Sequence, residues 1–449
     1  MTTPIVDFVR NYAAKKALRL HMPGHKGNSV LGIEALDITE IEGADVLYNA
    51  KGIIKQSEDN AAKVFGSAKT VYSTEGSSLS IRAMLYLTKI YGNTKNKRPF
   101  IAAGRNAHKT FITAAALMDF EIDWLLPSDA DTLISCNITP RFLEEYFKNS
   151  TEKPLAVYVT SPDYLGNTLD IAALSEVCKK YNSLLLVDNA HGAYLSFLPE
   201  NLHPIAQGAD MCCDSAHKTL PVLTGGAYLH ISCDAPKLFL NQAENAMSVF
   251  ASTSPSYLIL QSLDMANKYL SDGYSERLCT FTEKTEQLKK ELKEIGYKLY
   301  GNEPLKLTIA PKSFGYTGCE LAEILEEKGI VCEFDDPDFV VMMLSCDMGE
   351  KGLTFLRNAL SGIERKAEIT AKPPRVRAYK KQMSLEKAIF SPNEELPVKE
   401  CCGRTLATAS VNCPPAIPIV VCGEEITDEA IECFEYYGIK SCSVVTELK

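Results

Sequence analysis

The feature that most constrains the fold is an alternation of short apolar runs with helical patterns between about residues 60 and 235. Helical patterns such as residues 78–92 and 171–181 lie between several of the apolar runs. The runs are PFIAAG (99–104), PLAVYVTS (154–161), SLLLVDNA (183–190), ADMCCDSA (209–216) and GGAYLHIS (225–232). Because each run is short and bounded by turn residues, it predicts a buried strand, and strands alternating with helices predict an α/β domain with a mainly parallel sheet.

The length and the later rhythm of the chain predict more than one domain. A chain of 449 residues is too long for a single core. A long helical pattern at 274–297 precedes a strand-helix-strand-strand-helix order, which favours a smaller α+β domain at about 298–366. We therefore expect an amino-terminal segment at 1–55, a large domain at 56–273, a small α+β domain at 274–370 and a carboxyl-terminal segment at 371–449.

Composition limits the partners of the protein. The net charge of −10 argues against nucleic acid, because phosphate binding needs a clustered positive face. No window approaches the length of a membrane span, and the amino terminus lacks a signal-peptide core, so we expect a cytoplasmic protein that acts on a small molecule. The 15 cysteines include no C-x-x-C pair and the seven histidines show no metal-binding spacing. We expect reduced, packed thiols and no metal.

Lys218 stands in the string SAHKT, just after a predicted strand. A lysine that forms a Schiff base is a common amine nucleophile of α/β enzymes. If the electrophile is pyridoxal 5′-phosphate (PLP), the site also needs a carboxylate for the pyridine nitrogen, a donor-rich helix start for the phosphate, and a flat group against the ring. Asp188 ends a predicted strand and is the candidate for the carboxylate at the pyridine nitrogen. His108 follows another predicted strand and is the candidate for the flat group against the ring.

The phosphate contacts have candidates in two strings. STEGSSLSI (73–81) joins a strand to a helix, and its Gly76, Ser77 and Ser78 offer amides and hydroxyls at a helix start. Ser215 and His217, which precede Lys218 in the SAHKT string, add further donors. Taken singly, each candidate has a structural interpretation: a solvated lysine, a capping aspartate, a helix N-cap or a rim histidine. Their order within one alternating region favours a single cofactor site, and the sequence contains no nucleotide-binding glycine motif.

Together these strings resemble the Orn/Lys/Arg decarboxylases, prokaryotic fold-type I PLP enzymes with the aspartate-aminotransferase fold. The resemblance is to the short form, which lacks an amino-terminal receiver-like domain. The strings that carry it span nearly the whole chain: LHMPGHKG (20–27), DITEIEGADVLYNAKGII (37–54), STEGSS (73–78), GRNAHKT (104–110), TSPDYLGNTLDI (160–171), DNAHGAY (188–194), SAHKTLPVLTGGAYLH (215–230), STSPSY (252–257) and CPPAIPIVVCGE (413–424).

The resemblance implies a fold, a reaction and an assembly. The fold would be an aspartate-aminotransferase-like large domain with smaller α+β carboxyl-terminal parts. The reaction would be the decarboxylation of arginine, lysine or ornithine to CO2 and a polyamine-pathway amine. Lys218 would form the Schiff base, His191 would lie near the ring, and Lys218 or His217 would reprotonate the α-carbon. The enzyme would be a homodimer, or an assembly of dimers, in which Ser252 or Thr253 reaches the partner's cofactor.

Three strings depart from the family pattern and bear on the substrate. DNAHGAY replaces Asp-Glu-Ala-His-Gly-Ala-His, ADVLYNAKG (44–52) replaces Leu-Asp-Asp-Leu-His-His-Pro-Glu-Gly, and PAIP (415–418) replaces Pro-Gly-Ile-Pro. A cationic substrate side chain needs a carboxylate partner, and Asp45 and Glu424 are the candidates. Their alternatives are a turn residue and a loop acid.

Two further functions stay open on the sequence. One is another fold-type I PLP reaction, namely an aminotransferase, a lyase or a decarboxylase of a different amino acid, and the altered strings motivate it. The other is a non-catalytic relative that binds PLP or an amino acid. The presence of Lys218, Asp188 and His108 argues against the second.

Overall fold

The computed structural model describes residues 1–127, 132, 134–374, 377–409, 411–413 and 417–446, so part of the PAIP string lies outside the described residues. The strands are β1 (Lys69–Ser73), β2 (Phe100–Gly104), β3 (Glu121–Leu125), β4 (Ala156–Thr160), β5 (Leu184–Asp188), β6 (Met211–Asp214), β7 (Ala227–Ile231), β8 (Lys298–Tyr300), β9 (Lys306–Ala310), β10 (Phe334–Asp335), β11 (Val340–Met343), β12 (Asn393–Pro397), β13 (Val411–Cys413), β14 (Ile417–Val420) and β15 (Ser441–Val445).

The α-helices of the described residues are α1 (Pro4–Ala14), α2 (Ile53–Phe65), α3 (Ser77–Thr94), α4 (Lys109–Leu117), α5 (Pro140–Asn149), α6 (Ile171–Lys180), α7 (Ala216–Thr219), α8 (Lys237–Ser248), α9 (Tyr257–Ser271), α10 (Tyr274–Ile295), α11 (Gly318–Glu327), α12 (Gly349–Ser361), α13 (Leu385–Ile389) and α14 (Asp428–Tyr436). None of them, within the described part of the chain, is both long and apolar enough to cross a bilayer.

The chain divides into two compact units, of which the first comprises Met1–Arg98 and Ile171–Arg277. Its strands are ordered β1-β7-β6-β5. β5 and β6 are parallel, whereas β7 is antiparallel to both β6 and β1. Every residue of β5, β6 and β7 is buried, as expected for strands with both faces covered.

The strand directions of the first unit bring several chain segments to one edge of the sheet. β1, β5 and β6 all run towards this edge, where they end at Ser73, Asp188 and Asp214. α3 begins shortly after β1, and α7 follows β6 directly. Because ligands of open α/β sheets bind at the carboxyl ends of strands, this edge is where a site is expected.

The second unit comprises Pro99–Asp170 and Leu278–Lys449. It contains three parallel strands in the order β4-β2-β3, a four-stranded antiparallel sheet in the order β10-β11-β9-β8, and the pairs β12-β15 and β13-β14. One apolar core in this unit includes Phe334, Val341, Ile419, Phe434 and Val444. α11 begins with a capping box in which Thr317 and Glu320 bind each other's backbone N–H groups.

Most predicted elements are confirmed. The five apolar runs form β2, β4, β5, β6 and β7, and the predicted helices form α3, α6 and α10. The described pairings β2-β3, β2-β4 and β5-β6 are parallel. The α+β order after α10 is confirmed, with β8 as an additional short strand. β3 was not predicted from the sequence, because four of its five residues are at least partly exposed and form no apolar run. The domain boundaries stay a prediction.

Candidate active site

Lys218 lies in α7, immediately beyond the carboxyl end of β6. Its amide donates to the carbonyl of Ser215 at 3.0 Å, which fixes the short helical turn. The Nζ of Lys218 is 3.1 Å from Nε2 of His191, and the His191 side chain is buried. A hydrogen bond between these two nitrogens needs a lone pair on one of them, so the lysine and the histidine are not both fully protonated.

Asp188 places a buried carboxylate at the same edge of the sheet. It is the last residue of β5 and is 2% exposed. Its Oδ1 accepts hydrogen bonds from the amide of Ala190 at 3.2 Å and from Sγ of Cys213 at 3.6 Å. A carboxylate held in so little water interacts strongly with any cation that approaches it.

The turn between β1 and α3 is shaped as an anion cradle. Gly76 has φ +72°, a left-handed conformation, and no side chain caps the start of α3. Its amide donates to the carbonyl of Gly225 at 2.7 Å, and a Cβ at Gly225 would lie 2.9 Å from the carbonyl oxygen of Thr74. The hydroxyls of Ser215 and Ser77 meet at 2.8 Å. This close backbone approach therefore excludes a side chain at Gly225.

His217 and Ser78 border this cradle. Ser78 is the second residue of α3. The Nδ1 of His217 is 3.0 Å from the carbonyl oxygen of Gly226, and its amide donates to the same oxygen at 3.1 Å. Since a carbonyl only accepts, Nδ1 carries a proton, which fixes the tautomer of a neutral His217 with its lone pair on Nε2.

The STSPSY segment also contacts the start of the cradle. The amide of Ser252 donates to Oε1 of Glu75 at 2.8 Å, and Thr253 is exposed. The structure therefore ties this segment to Glu75 of its own chain, next to Gly76. The predicted contact of Ser252 or Thr253 with a partner's cofactor stays a prediction.

His108 belongs to the second unit. It caps the start of α4, where its Nδ1 accepts from the amide of Thr110 at 3.2 Å. The ring is held in one orientation by this cap and is partly exposed. Its role as the group that stacks on the cofactor stays a prediction.

Asp45 uses its carboxylate within its own loop. Its oxygens accept from the amides of Val46, Lys51, Gly52 and Ile54 at 2.7–3.1 Å. Burial alone would raise the pKa of Asp45, and these backbone hydrogen bonds outweigh burial and lower the pKa. The arrangement favours the turn-residue interpretation over the substrate-acid prediction.

Glu424 is likewise bonded within the second unit. It is 5% exposed, and its Oε2 lies 3.3 Å from the guanidinium of Arg105 and accepts from the amide of Val421 at 2.8 Å. Burial raises the pKa of Glu424, against the lowering effect of Arg105. The same guanidinium donates to the carbonyls of Pro418 and Ile419. This network favours a supporting role for Glu424, and its role as a substrate acid stays a prediction.

Three buried residues of the first unit were missed. Asp214, His203 and His230 converge beside the end of β6 with no exposed surface. One signal was available in the sequence: Asp214 closes a buried apolar strand, as Asp188 does. No local pattern links it to the two histidines, because the three come from separate segments.

The residues of this edge fit PLP. They supply an amine at Lys218, a buried carboxylate at Asp188, and a helix start with no side-chain cap and two hydroxyls at Ser77 and Ser215. These are the groups that the aldehyde, the pyridinium nitrogen and the phosphate of that cofactor require.

Comparison with known proteins gives concordant results. A family model described as Orn/Lys/Arg decarboxylase, major domain, matches residues 3–297, and one described as the C-terminal domain of the same family matches residues 365–442. The arginine decarboxylase of Bacillus subtilis is 29% identical over 96% of this chain and 92% of its own. The arginine decarboxylase of Halalkalibacterium halodurans is 28% identical over 95% of this chain and 91% of its own.

A solved structure confirms the fold class. The lysine decarboxylase of Francisella novicida superposes with a TM-score of 0.81, over 99% of this chain and 81% of its own, at 18% identity. At this identity the likeness concerns the fold alone. It confirms the expected large domain with a mainly parallel sheet and the smaller carboxyl-terminal part.

Proposed function

This chain belongs to the Orn/Lys/Arg decarboxylase family, and on that premise we propose that it removes the α-carboxylate of a basic amino acid, with arginine as the first substrate to test. It is a PLP-dependent decarboxylase. The observation that carries the proposal is the approach of the Lys218 amine to His191 at the edge of the sheet where Asp188 ends β5. Arginine is put first because relatives named arginine decarboxylase align with nearly the whole chain.

Each residue of the edge has a separate task in this proposal. PLP, when bound, supplies an electron-accepting ring that makes the α-carboxylate a leaving group. Lys218 would hold the cofactor aldehyde and give way to the substrate amine. Asp188 would keep the proton on the pyridine nitrogen, since its buried carboxylate favours a cation beside it. Ser77, Ser215 and the amides at the start of α3 would bind the phosphate.

His191 and Lys218 would carry out the proton transfers of the reaction. The 3.1 Å contact lets the imidazole take a proton from the ammonium, which gives the neutral amine that a nucleophile must be. After CO2 has left, the His191 imidazolium would return this proton to the Lys218 amine, and the resulting ammonium would deliver it to the α-carbon. We assign this step to Lys218 and leave His217 a supporting role, because Nδ1 of His217 already faces the carbonyl of Gly226.

We also propose a homodimer in the cytoplasm. The amino-terminal segment carries four side chains that are more than 80% exposed, namely Leu18, Leu20, Val30 and Leu31. Highly exposed apolar side chains within one segment favour a protein interface. A second copy would cover them and bring its Thr253 towards this site. Analytical ultracentrifugation of the holoenzyme tests this, and a monomer at micromolar concentration would contradict it.

A product assay tests the reaction. The protein, purified with PLP, is incubated separately with arginine, lysine and ornithine, and the amines are identified by mass spectrometry. We expect agmatine, cadaverine or putrescine in equal amount to the CO2 released, with arginine as the best substrate. An α-keto acid as the product would indicate transamination, and cofactor binding without any product would indicate a non-catalytic relative.

A further inference from the structure

One buried carboxylate joins four segments of the first unit. Asp214 has no exposed surface, and its Oδ1 accepts from the side-chain amide of Asn189 at 2.7 Å. Its Oδ2 lies 3.0 Å from Nε2 of His203 and 3.3 Å from Nε2 of His230. Asn189 follows β5, His230 lies in β7, and His203 lies in the loop before β6. The group therefore connects three neighbouring strands at the level of the candidate active site.

The hydrogen bond at Nδ1 of His203 distinguishes between a metal site and a hydrogen-bonded carboxylate. The amide of Ile205 donates to Nδ1 of His203 at 3.4 Å, so a neutral His203 carries its proton on Nε2 and donates it to Asp214. The three ligand atoms lie within 4.8 Å of one another, a spacing that a metal ion also uses. A metal needs a lone pair at Nε2 of His203, however, and this nitrogen is a donor. The geometry favours a hydrogen-bonded carboxylate.

The environment keeps this carboxylate charged. Burial alone would raise the pKa of Asp214, but the neighbouring His203 and His230 side chains lower it. Burial lowers the pKa of His230, against the effect of Asp214. The ring of Phe65 packs against both imidazoles, at 5.5 Å and 4.6 Å between centroids. A charged carboxylate enclosed in this way is stable only while its donors stay in place.

Two chain neighbours connect this carboxylate to the cofactor groups. Asn189 directly follows Asp188, which would bind the pyridine nitrogen. Ser215 directly follows Asp214, and its hydroxyl donates to Ser77 in the phosphate cradle at 2.8 Å. A shift of the Asp214 side chain would therefore displace Asp188 and Ser215 relative to each other.

We propose that Asp214 is a positioning residue, which fixes the carboxylate of Asp188 and the hydroxyl of Ser215 at the spacing that PLP requires. This inference rests on the proposed function for the identity of the cofactor. Asp214 does not touch the reacting atoms in this account. It acts through Asn189 and through the main chain at the start of α7.

The test compares Asp214→Asn with Asp210→Asn, a matched control at the opposite end of β6. Asp210 is partly buried and its carboxylate accepts from the amide of Leu185 at 2.8 Å, but it lies before the first residue of β6, at the end away from the cradle. PLP is titrated into each cofactor-free protein, and the visible absorbance of the bound form is recorded. For Asp214→Asn we expect a dissociation constant for PLP about tenfold larger than that of the wild type, and a shifted absorbance maximum. The reason is that Asn places an N–H donor against the donors of its neighbours. Asp210→Asn should match the wild type.

A second variant keeps the inference testable if Asp214→Asn does not fold. Asn189→Ala removes one donor from Asp214 and should weaken PLP in the same direction. The inference would be overturned if the Asp214 or Asn189 variant that folds binds PLP with the same affinity and absorbance as Asp210→Asn. Stoichiometric bound metal in the wild type that is lost in Asp214→Asn would overturn it too. Because the titration needs no substrate, a wild type without decarboxylase activity would refute the proposed function and leave this result standing.

Discussion

Nζ of Lys218 and Nε2 of His191 lie 3.1 Å apart at the carboxyl edge of the sheet. Lys218 lies in α7 beyond β6 and His191 lies in the turn beyond β5, so the parallel pairing of these strands is what brings them together. An amine beside a buried proton acceptor is the arrangement that lowers the cost of forming a neutral nucleophile.

Replacing Lys218 by Ala should remove both the covalent attachment of PLP and the decarboxylation. The reason is that the Lys218 amine lies beside His191 at the carboxyl edge of the sheet, where the proposed function places the cofactor aldehyde. Borohydride reduction followed by peptide mass spectrometry would locate the attachment. Lys63→Ala, an exposed lysine of α2, is the control and should behave as the wild type. Attachment at its normal extent in Lys218→Ala would refute the assignment.

His191→Gln should lower kcat by about tenfold to a hundredfold, because glutamine accepts a hydrogen bond from Lys218 but cannot take its proton. KM should change little, since the amide keeps the polar contact. Steady-state kinetics of amine release measure both constants. His25→Gln serves as control, because His25 pairs with Asp37 in a more exposed setting. A normal kcat with a raised KM would instead assign His191 to substrate binding.

Asp45→Ala should lower the stability of the protein and leave the KM for the amino acid unchanged. Its carboxylate accepts hydrogen bonds from the amides of Lys51, Gly52 and Ile54 around the start of α2. Losing such a cap lowers the free energy of unfolding by about 1–2 kcal/mol. Thermal unfolding and kinetics are measured together, with the exposed Glu42→Ala as control. An unchanged melting temperature with a large rise in KM would restore Asp45 as a substrate acid.

Glu58→Gln should remove a pH dependence of stability. Glu58 is 2% exposed, and burial raises its pKa to about 8, while its Oε1 accepts the amide of Tyr72. A group with a raised folded pKa stabilises fully below its unfolded pKa of about 4.3, and that contribution is lost as the pH rises towards 8. The melting temperature should therefore fall less between pH 5 and pH 8.5 in the variant. Parallel curves for both proteins would contradict the burial of a neutral Glu58.

The sequence predicted best what local patterns encode. Strands β5 and β6 are apolar runs closed by an acid, so their ends, and with them Asp188 and Lys218, were found from the chain alone. His191 was identified through the resemblance to the family, because no sequence spacing predicts its contact with Lys218. β3 was missed because a partly exposed strand lacks the apolar run that marks the others.

The hydrogen-bond and ion-pair partners of individual side chains were the features least predictable from the sequence. Asp45 and Glu424 are acids at plausible positions, but the amides around the first and Arg105 beside the second occupy their oxygens. Asp214 was missed for the converse reason, since its partners His203 and His230 are distant in the chain. Such contacts depend on how the segments pack, which periodicity does not record.

The most direct test of decarboxylation by this chain is the reaction run in D2O with arginine and analysed by NMR and mass spectrometry. We expect CO2 together with agmatine that carries one deuterium on the carbon that lost the carboxylate, because one solvent-exchanged proton returns to that carbon. Formation of the α-keto acid with retention of the carboxylate would contradict it.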